Sequence, residues 1–356
     1  MSFDLKKITR ENIQNLVPYS SARDEFQGEA SIYLDANENS FGSPLATNFN
    51  RYPDPLQLEV KEKISKIKGV PPVNIFLGNG SDEAIDILFR AFCRPGIDNV
   101  ILLPPTYGMY QVCANINDVE IRKVSLTGDY QLNLDGIAEA IDENTKLIFI
   151  CSPNNPTGNS IDREAIETIL ANFNGIVVID EAYINFSRQR SFIQELTEYS
   201  NLVILQTLSK AWGLAGLRVG MAFASQEIIE VFNKVKPPYN INEASQRLAS
   251  EALNNVEQVN NWIKETIKER DNLVLGLKKF GFVENIYPSD ANFILVKTTE
   301  PVKIYNFLVE KDIIVRDRSK VELCEGCLRI TVGIPSENER LLSALKEYKP
   351  VNNLIA

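Results

Sequence analysis

The stretch "NLVILQTLSKAWGLAGLRVGMAFAS", residues 201–225, contains two apolar runs joined by a glycine-containing turn. Short runs of this kind, bounded by glycine or polar residues, are typical of buried β-strands. Lys210 follows the first run closely, and Arg218 comes just before the second. Because an unpaired charge is costly in apolar surroundings, we expect a buried lysine and a buried arginine that each need a partner.

Similar runs earlier in the chain predict the architecture of its first two-thirds. They are "NVILLPP" (99–105), "TKLIFICSP" (145–153) and "GIVVIDEAY" (175–183), and segments with helical periodicity separate them. Strands that alternate with helices are typical of a parallel sheet whose two faces are covered by helices. We therefore predict an α/β fold, with a large lobe built on a mainly parallel central sheet flanked by helices.

The last third of the chain has a different pattern. A long helical segment follows "KPPYNIN" (236–242), where two prolines interrupt helix formation. Three strand-like runs come next: "ANFILVK" (291–297), "DIIVRD" (312–317) and "CLRITVG" (327–333). Strands grouped after helices in this way predict a smaller α+β lobe.

These two patterns also predict where the lobes begin and end. We expect an N-terminal arm over residues 1–48, a large lobe over 49–240 and a small lobe over 241–356. The arm is expected to pack on the small lobe or on a partner subunit. Within the small lobe, "SENE" predicts a last helix that begins with a capping box formed by Ser336 and Glu339.

The overall composition limits the classes of ligand. The 356 residues carry a formal net charge of -10, with 44% hydrophobic and 24% charged residues. An acidic chain of this kind disfavours nucleic acid and anionic membranes, so small molecules are the expected ligands. No long apolar span and no basic-then-apolar leader is evident, which predicts a cytoplasmic protein.

The counts of histidine and cysteine limit the chemistry. The chain has no histidine, which excludes Ser-His-Asp and Cys-His mechanisms and leaves acid-base work to Lys, Tyr, Asp or Glu. Its five cysteines are scattered, which predicts reduced thiols rather than a disulfide framework. The Cys324 and Cys327 pair has no second pair or histidine to complete a zinc site, so no metal is expected.

Polar residues follow the predicted strands at the points where each strand ends. Because ligands gather at the carboxyl ends of parallel strands, we expect these side chains to converge on one edge of the sheet. A glycine-rich turn in "LGNGSDEAIDILFRAF" (77–92) also opens a helix, whose free N–H groups can hold a phosphate. The strand-end residues are Tyr107, Asn155, Asp180, Tyr183, Ser209 and Lys210, and the helix start is Gly80, Ser81 and Asp82.

Three motifs carry a family resemblance. "SPNNPTG", "DEAY" and "SKAWGLAGLRVG", in this order, resemble the fold type I aminotransferases that use pyridoxal 5'-phosphate. The resemblance covers nearly the whole chain and implies an aspartate aminotransferase-like fold. It also implies a homodimer with shared active sites, because Tyr52 in "RYPDP" matches a residue that reaches the partner subunit's cofactor.

The resemblance implies a role for each residue around the cofactor. Lys210 would attach the cofactor covalently and serve as acid and base, and Asp180 would pair with the ring nitrogen. Tyr183 and Asn155 would donate hydrogen bonds to the phenolic oxygen, and Tyr107 would stack on the ring. The phosphate contacts would come from Gly80, Ser81, Asp82, Ser209, Arg218 and the partner's Tyr52.

Further segments resemble one family within the class II subgroup, the histidinol-phosphate aminotransferases. They are "VPYSSARDEF", "LDANENSFG", "RYPDP", "PPTYGMY", "VRDRSK" and "CLRITVG". The resemblance implies histidinol phosphate and glutamate or 2-oxoglutarate as substrates, used in a ping-pong mechanism. It implies Tyr19, Asn37, Arg316 and Arg329 as substrate-binding residues, with Arg329 as the main clamp for the anionic group.

Three other functions remain open at this point. An aromatic-amino-acid aminotransferase would share every cofactor residue and differ in the substrate pocket. A lyase similar to threonine-phosphate decarboxylase would also bind a phosphorylated substrate but would release carbon dioxide. A cofactor-binding sensor domain would need a DNA-binding segment or a basic face, and neither is evident in the sequence.

Overall fold

The structure, a computed structural model, describes residues 3–20 and 30–349. In this part of the chain the α-helices are α1 (Leu5–Ile8), α2 (Glu11–Gln14), α3 (Leu58–Lys68), α4 (Ser81–Phe92), α5 (Met109–Ile116), α6 (Leu134–Ala140), α7 (Arg163–Asn172), α8 (Gln226–Val235), α9 (Glu243–Ala252), α10 (Val256–Leu277), α11 (Pro301–Glu310) and α12 (Pro335–Glu347). The strands are β1 (Ile75–Asn79), β2 (Asn99–Leu102), β3 (Glu120–Lys123), β4 (Thr145–Cys151), β5 (Ile176–Asp180), β6 (Leu202–Thr207), β7 (Val219–Ala224), β8 (Val283–Ile286), β9 (Phe293–Thr298), β10 (Arg316–Asp317) and β11 (Cys327–Thr331). Short 3-10 helices span Pro72–Asn74, Ile184–Phe186, Phe192–Glu195 and Ala215–Leu217.

A seven-stranded sheet forms the centre of the fold. Its strand order is β1-β7-β6-β5-β4-β2-β3, and the pairs from β6 to β3 are all parallel. Every residue of β5 and β6 is buried, because helices and loops pack on both faces of the sheet. This burial explains the continuous apolar runs in the sequence and confirms the predicted α/β class with a mainly parallel sheet.

The direction of β7 determines at which edge of the sheet Arg218 lies. β7 runs antiparallel to both β6 and β1, with Thr207 opposite Gly220. The start of β7 therefore lies beside the end of β6, at the edge where β4 and β5 also end. Arg218, which directly precedes β7, is brought to this edge together with the residues that follow β6.

A second, four-stranded sheet lies in the last third of the chain. Its order is β10-β11-β9-β8, and every pair is antiparallel. Apolar residues from α10, α11 and α12 pack with it in one core, among them Leu273, Leu308 and Leu341. This α+β unit is the smaller one that the sequence predicts.

The start of the last helix corrects one prediction. α12 begins at Pro335, and the Glu337 Oε2 atom accepts a hydrogen bond of 3.0 Å from the Ile334 backbone N–H. The predicted capping box of Ser336 and Glu339 is wrong, because proline is favoured in the first turn and the helix begins before the serine.

The N-terminal helices contact the central sheet unit. Ile8 of α1 and Ile13 of α2 pack in the same core as α4 and α8, which lie against one face of the seven-stranded sheet. The division of the chain into an arm and two lobes at residues 48 and 240 stays a prediction. Over residues 3–20 and 30–349, no helix has the length and apolar character needed to cross a bilayer.

Candidate active site

A cavity of about 770 Å³ lies where the ends of the central strands face the second sheet. Residues of both sheets line it, so the site depends on the packing of the two units against each other. All the predicted site residues line this cavity except Tyr19, Asn37 and Tyr52. The predicted residues that line it are Gly80, Ser81, Asp82, Tyr107, Asn155, Asp180, Tyr183, Ser209, Lys210, Arg218, Arg316 and Arg329.

One end of the cavity is suited to an anion. The N-terminus of α4 begins after Gly80, and the Arg218 guanidinium lies beside it, 3.5 Å from the Ser209 hydroxyl and 3.4 Å from the Asp82 carboxylate. A Cβ atom on Gly80 would stand only 2.6 Å from Arg218 Nη2, and Gly80 has a φ of +70°. Helix N–H groups, a guanidinium and a hydroxyl thus surround one space, a combination typical of phosphate sites.

The exposure of Arg218 corrects the sequence prediction that this side chain is buried. Its side chain is 51% exposed and lines the cavity. The apolar run begins only at the next residue, since Arg218 itself adopts a left-handed turn conformation before β7. The guanidinium therefore stands at the cavity wall beside the Asp82 carboxylate, 3.4 Å away, rather than enclosed by apolar neighbours.

Asp180 is the most deeply buried charged group of the cavity, at 3% exposure. Its Oδ2 atom accepts a hydrogen bond of 2.7 Å from the Tyr110 hydroxyl, and its Oδ1 atom accepts one of 3.1 Å from the Ala182 N–H. Burial raises the pKa of this carboxyl above its ordinary value, and the two hydrogen bonds oppose that shift. Such a carboxylate would gain most from a cationic ligand group opposite it.

Lys210 presents an amine to the same cavity. Its Nζ atom lies 5.5 Å from the centre of the Tyr183 ring, which is buried. Burial lowers the pKa of the Lys210 amine, and the positive charges of Arg329 and Arg218 lower it further. A larger fraction of the amine is therefore neutral and nucleophilic at neutral pH than for an exposed lysine.

Arg329 joins the second sheet to the central one. Its Nη1 atom donates a hydrogen bond to Asn155 Oδ1, and its guanidinium lies 5.2 Å from the centre of the Phe293 ring. Asn155 Nδ2 has no hydrogen-bond partner among the residues that the structure describes, so it can donate to a ligand. Arg316 lies directly opposite Arg329 on the neighbouring strand.

The other three predicted residues lie away from this cavity in the single chain. Tyr52 stacks on Tyr239 with ring centres 4.5 Å apart, and Asn37 is exposed. Tyr19 is also exposed and borders a separate cavity of about 370 Å³ that Pro55 and Lys236 help to line. The substrate and cofactor roles of these three residues stay predictions.

Sequence reasoning missed three residues of the site. Tyr110 supports Asp180, and Arg318 lines the cavity beside Arg316. The Thr106 Oγ1 atom is buried and has no hydrogen-bond partner within residues 3–20 and 30–349. Tyr110 follows the predicted Tyr107 by three residues in the same motif, "PPTYGMY", which could have drawn attention to it. Only the folded structure shows the unpaired hydroxyl of Thr106.

The sequence profile of the family described as aminotransferase class I and II matches residues 34–345. The chain belongs to the class I and II aminotransferases. A curated relative of this aminotransferase, the histidinol-phosphate aminotransferase of Parabacteroides distasonis, is 55% identical over 346 residues, which cover 97% of this chain and 99% of the relative.

Solved structures show the same fold. The histidinol-phosphate aminotransferase from Clostridium acetobutylicum matches this aminotransferase with a TM-score of 0.77 and 25% identity, over 84% of this chain and 90% of its own. The enzyme from Sinorhizobium meliloti, solved in complex with pyridoxal-5'-phosphate, matches with a TM-score of 0.77 and 23% identity, over 88% and 89% of the two chains. The predicted fold type I architecture is confirmed.

Proposed function

We propose that this aminotransferase exchanges an amino group between L-histidinol phosphate and 2-oxoglutarate, giving imidazole-acetol phosphate and glutamate, as a step of histidine biosynthesis. The observation that carries the proposal is a cavity with two separate cationic ends. Arg218 and the α4 N-terminus form one end, and Arg316 and Arg329 line the cavity from the second sheet. A phosphorylated cofactor and a phosphorylated substrate together need two such ends.

Pyridoxal 5'-phosphate is the cofactor we propose, and the residues present fit it. Arg218, Ser209 and the α4 N-terminus would hold its phosphate, and Asp180 would face its ring nitrogen. The buried carboxylate, the cationic phosphate cradle and the lysine amine all lie in one cavity. When bound, the cofactor supplies a carbonyl carbon that accepts the amino group and a ring that withdraws electrons.

Residues of the chain would hold the cofactor ring and transfer the substrate proton. The Asp180 carboxylate would keep a proton on the ring nitrogen, while Tyr110 and the Ala182 N–H hold that carboxylate in place. The Lys210 amine would take the proton from the amine-bearing carbon of the substrate, which suits a chain without histidine. Tyr183 and Asn155 would donate hydrogen bonds to the ring oxygen, and Tyr107 would pack against the ring.

The choice of substrate follows from the second cationic end. Histidinol phosphate has a phosphate and no carboxylate beside its amine, whereas glutamate has two carboxylates. Arg329 and Arg316 would receive the anionic group of either substrate, because a guanidinium binds phosphate and carboxylate with similar geometry. This shared clamp fits the ping-pong order that an amino-group carrier requires.

Steady-state assays of the purified protein with pyridoxal 5'-phosphate and 2-oxoglutarate test the proposal. We expect kcat/KM for histidinol phosphate to exceed that for phenylalanine by roughly 100-fold or more, because phenylalanine offers the arginines one carboxylate in place of a more highly charged phosphate. Preference for phenylalanine would support an aromatic-amino-acid aminotransferase instead. Release of carbon dioxide from threonine phosphate without an oxo acid would support the lyase alternative.

We also propose a homodimer with shared active sites, located in the cytoplasm, in which Tyr52, and also Tyr19 and Asn37 of the arm, act on the partner's cavity. The exposure of these residues outside their own cavity supports this proposal. Sedimentation should give twice the chain mass. Mixing and refolding Lys210→Ala and Tyr52→Ala chains should raise activity above that of either variant, because a hybrid contains one complete site. No gain would contradict the shared site.

Tyr110→Phe should reduce turnover and cofactor affinity. The substitution removes a hydrogen bond that lowers the pKa of Asp180, so this pKa rises further and the ionised carboxylate is lost at a higher pH. We expect kcat to fall roughly 10-fold, which is the size expected for the loss of one hydrogen bond to a charged group. The acid limb of the pH profile of kcat should move to higher pH.

Tyr130→Phe is the matched control for this variant. It removes another buried hydroxyl, which donates a hydrogen bond of 2.7 Å to the Leu323 carbonyl outside the cavity. It should lower the melting temperature without moving the acid limb. An unchanged pH profile in Tyr110→Phe would contradict the positioning role of Tyr110.

A further inference from the structure

The hairpin of β10 and β11 brings three arginines to the cavity. Arg316 and Arg329 are directly opposite each other on the two strands, and Arg318 follows Arg316 by two residues. Residues two apart in an extended segment project to the same side, and all three arginines line the cavity. We propose that Arg318 is a specificity-determining residue, the third guanidinium of a clamp that favours a phosphate monoester over a carboxylate.

In residues 3–20 and 30–349, none of the three arginines forms an ion pair with a carboxylate. Asp317, which lies between two of them, accepts a hydrogen bond of 2.8 Å from the Ser319 N–H. Like charges opposite each other destabilise a strand pair, so this face of the hairpin is suited to an anionic ligand.

Arg318 itself has an unused donor. Its Nε atom is buried and makes no hydrogen bond within the described part of the chain. Its backbone is fixed, since its N–H donates to the Cys327 carbonyl at 2.9 Å and its carbonyl accepts from the Val321 N–H at 2.9 Å. The buried Nε atom is closed to a ligand oxygen, so the contacts of Arg318 with an anion in the cavity would come from its Nη atoms.

The chemistry of the two anions explains the preference. A phosphate monoester carries a charge of about −1.5 to −2 at neutral pH and offers three terminal oxygens. A carboxylate carries one negative charge and has two oxygens. Arg329 and Arg316 suffice for a carboxylate, whereas a third guanidinium adds contacts that only the phosphate can use fully. This inference rests on the proposed function, because it assigns the phosphorylated substrate to this end of the cavity.

Arg318→Gln in the cofactor-loaded enzyme tests the clamp. We expect kcat/KM for histidinol phosphate to fall roughly 10- to 100-fold, the effect of losing one charge-assisted contact, with less than about a threefold loss for glutamate. Isothermal titration calorimetry with inorganic phosphate gives a second measurement. The loaded enzyme should bind phosphate more weakly after the substitution, since the cofactor already fills the other anion site.

Two further variants complete the test. Lys320→Gln removes an exposed positive charge from the same loop, outside the cavity, and should leave both measurements unchanged. Arg318→Lys keeps the charge but lacks the planar fork, and should recover only part of the preference. Equal losses for histidinol phosphate and glutamate, or unchanged phosphate binding in Arg318→Gln, would overturn the clamp. If the unmodified enzyme does not use histidinol phosphate, the proposed function fails, and the phosphate-binding comparison still decides the clamp.

Discussion

Lys210→Ala should abolish amino transfer, with turnover reduced by roughly 10⁴-fold or more. The amine of Lys210 is the group we expect both to attach the cofactor and to move the substrate proton, and alanine can do neither. Its lowered pKa and its place in the cavity beside Asp180 and Arg329 support both roles. The measurement is single-turnover product formation with histidinol phosphate, together with the visible absorption of the bound cofactor.

Lys61→Met is the control for this experiment. Lys61 is another buried lysine, and burial lowers its pKa to about 8, but it does not line the cavity. If position in the cavity decides the role, this variant keeps its turnover and its absorption spectrum. Turnover above about one-hundredth of the unmodified rate in Lys210→Ala would contradict the assignment of Lys210.

Asp180→Asn should have the second largest effect, a loss of roughly 10²- to 10³-fold in turnover. A carboxylate opposite a cationic nitrogen shifts its proton affinity by about one to three pKa units, and asparagine removes this charge. The amide oxygen can still accept from the Ala182 N–H, and the Tyr110 hydroxyl can accept from the amide nitrogen. The site therefore keeps its shape, and near-normal turnover would show that the charge is not needed.

The same substitution should change the stability of the cofactor-free protein. Burial raises the pKa of Asp180 in the folded state above its value in the unfolded state. At a pH between these two pKa values, the folded chain therefore binds more protons than the unfolded chain. The contribution of Asp180 to the free energy of unfolding therefore falls as the pH rises through this range. We expect cofactor-free Asp180→Asn to be more stable than the unmodified protein in urea at about pH 8, with the difference shrinking as the pH falls. Lower stability of the variant at the higher pH would contradict this.

Most of the central sheet can be predicted from the sequence for a physical reason. Strands buried on both faces need apolar residues at nearly every position, and β5 and β6 have them up to Asp180 and Gln206. Polar residues directly after such strands then lie at a common edge. The positions of Asp180 and Lys210 could be predicted in this way without knowledge of any contact.

Other features depend on contacts between distant segments, and local patterns did not reveal them. Arg218 was expected to be buried because apolar residues surround it in the sequence, but the turn before β7 directs its side chain to the cavity. The position of Arg318 beside two other arginines depends on the register of β10 and β11, which pairs Arg316 with Arg329. The support that Tyr110 gives to Asp180 likewise joins residues 70 positions apart.

The most direct test of the central claim is a half-reaction without 2-oxoglutarate. The cofactor-loaded enzyme is mixed with excess histidinol phosphate, and the loss of visible cofactor absorption is followed together with the formation of imidazole-acetol phosphate. The proposed function predicts a single turnover of one product per active site, which restarts when 2-oxoglutarate is added. No spectral change with histidinol phosphate, together with a full change on addition of phenylalanine, would contradict it.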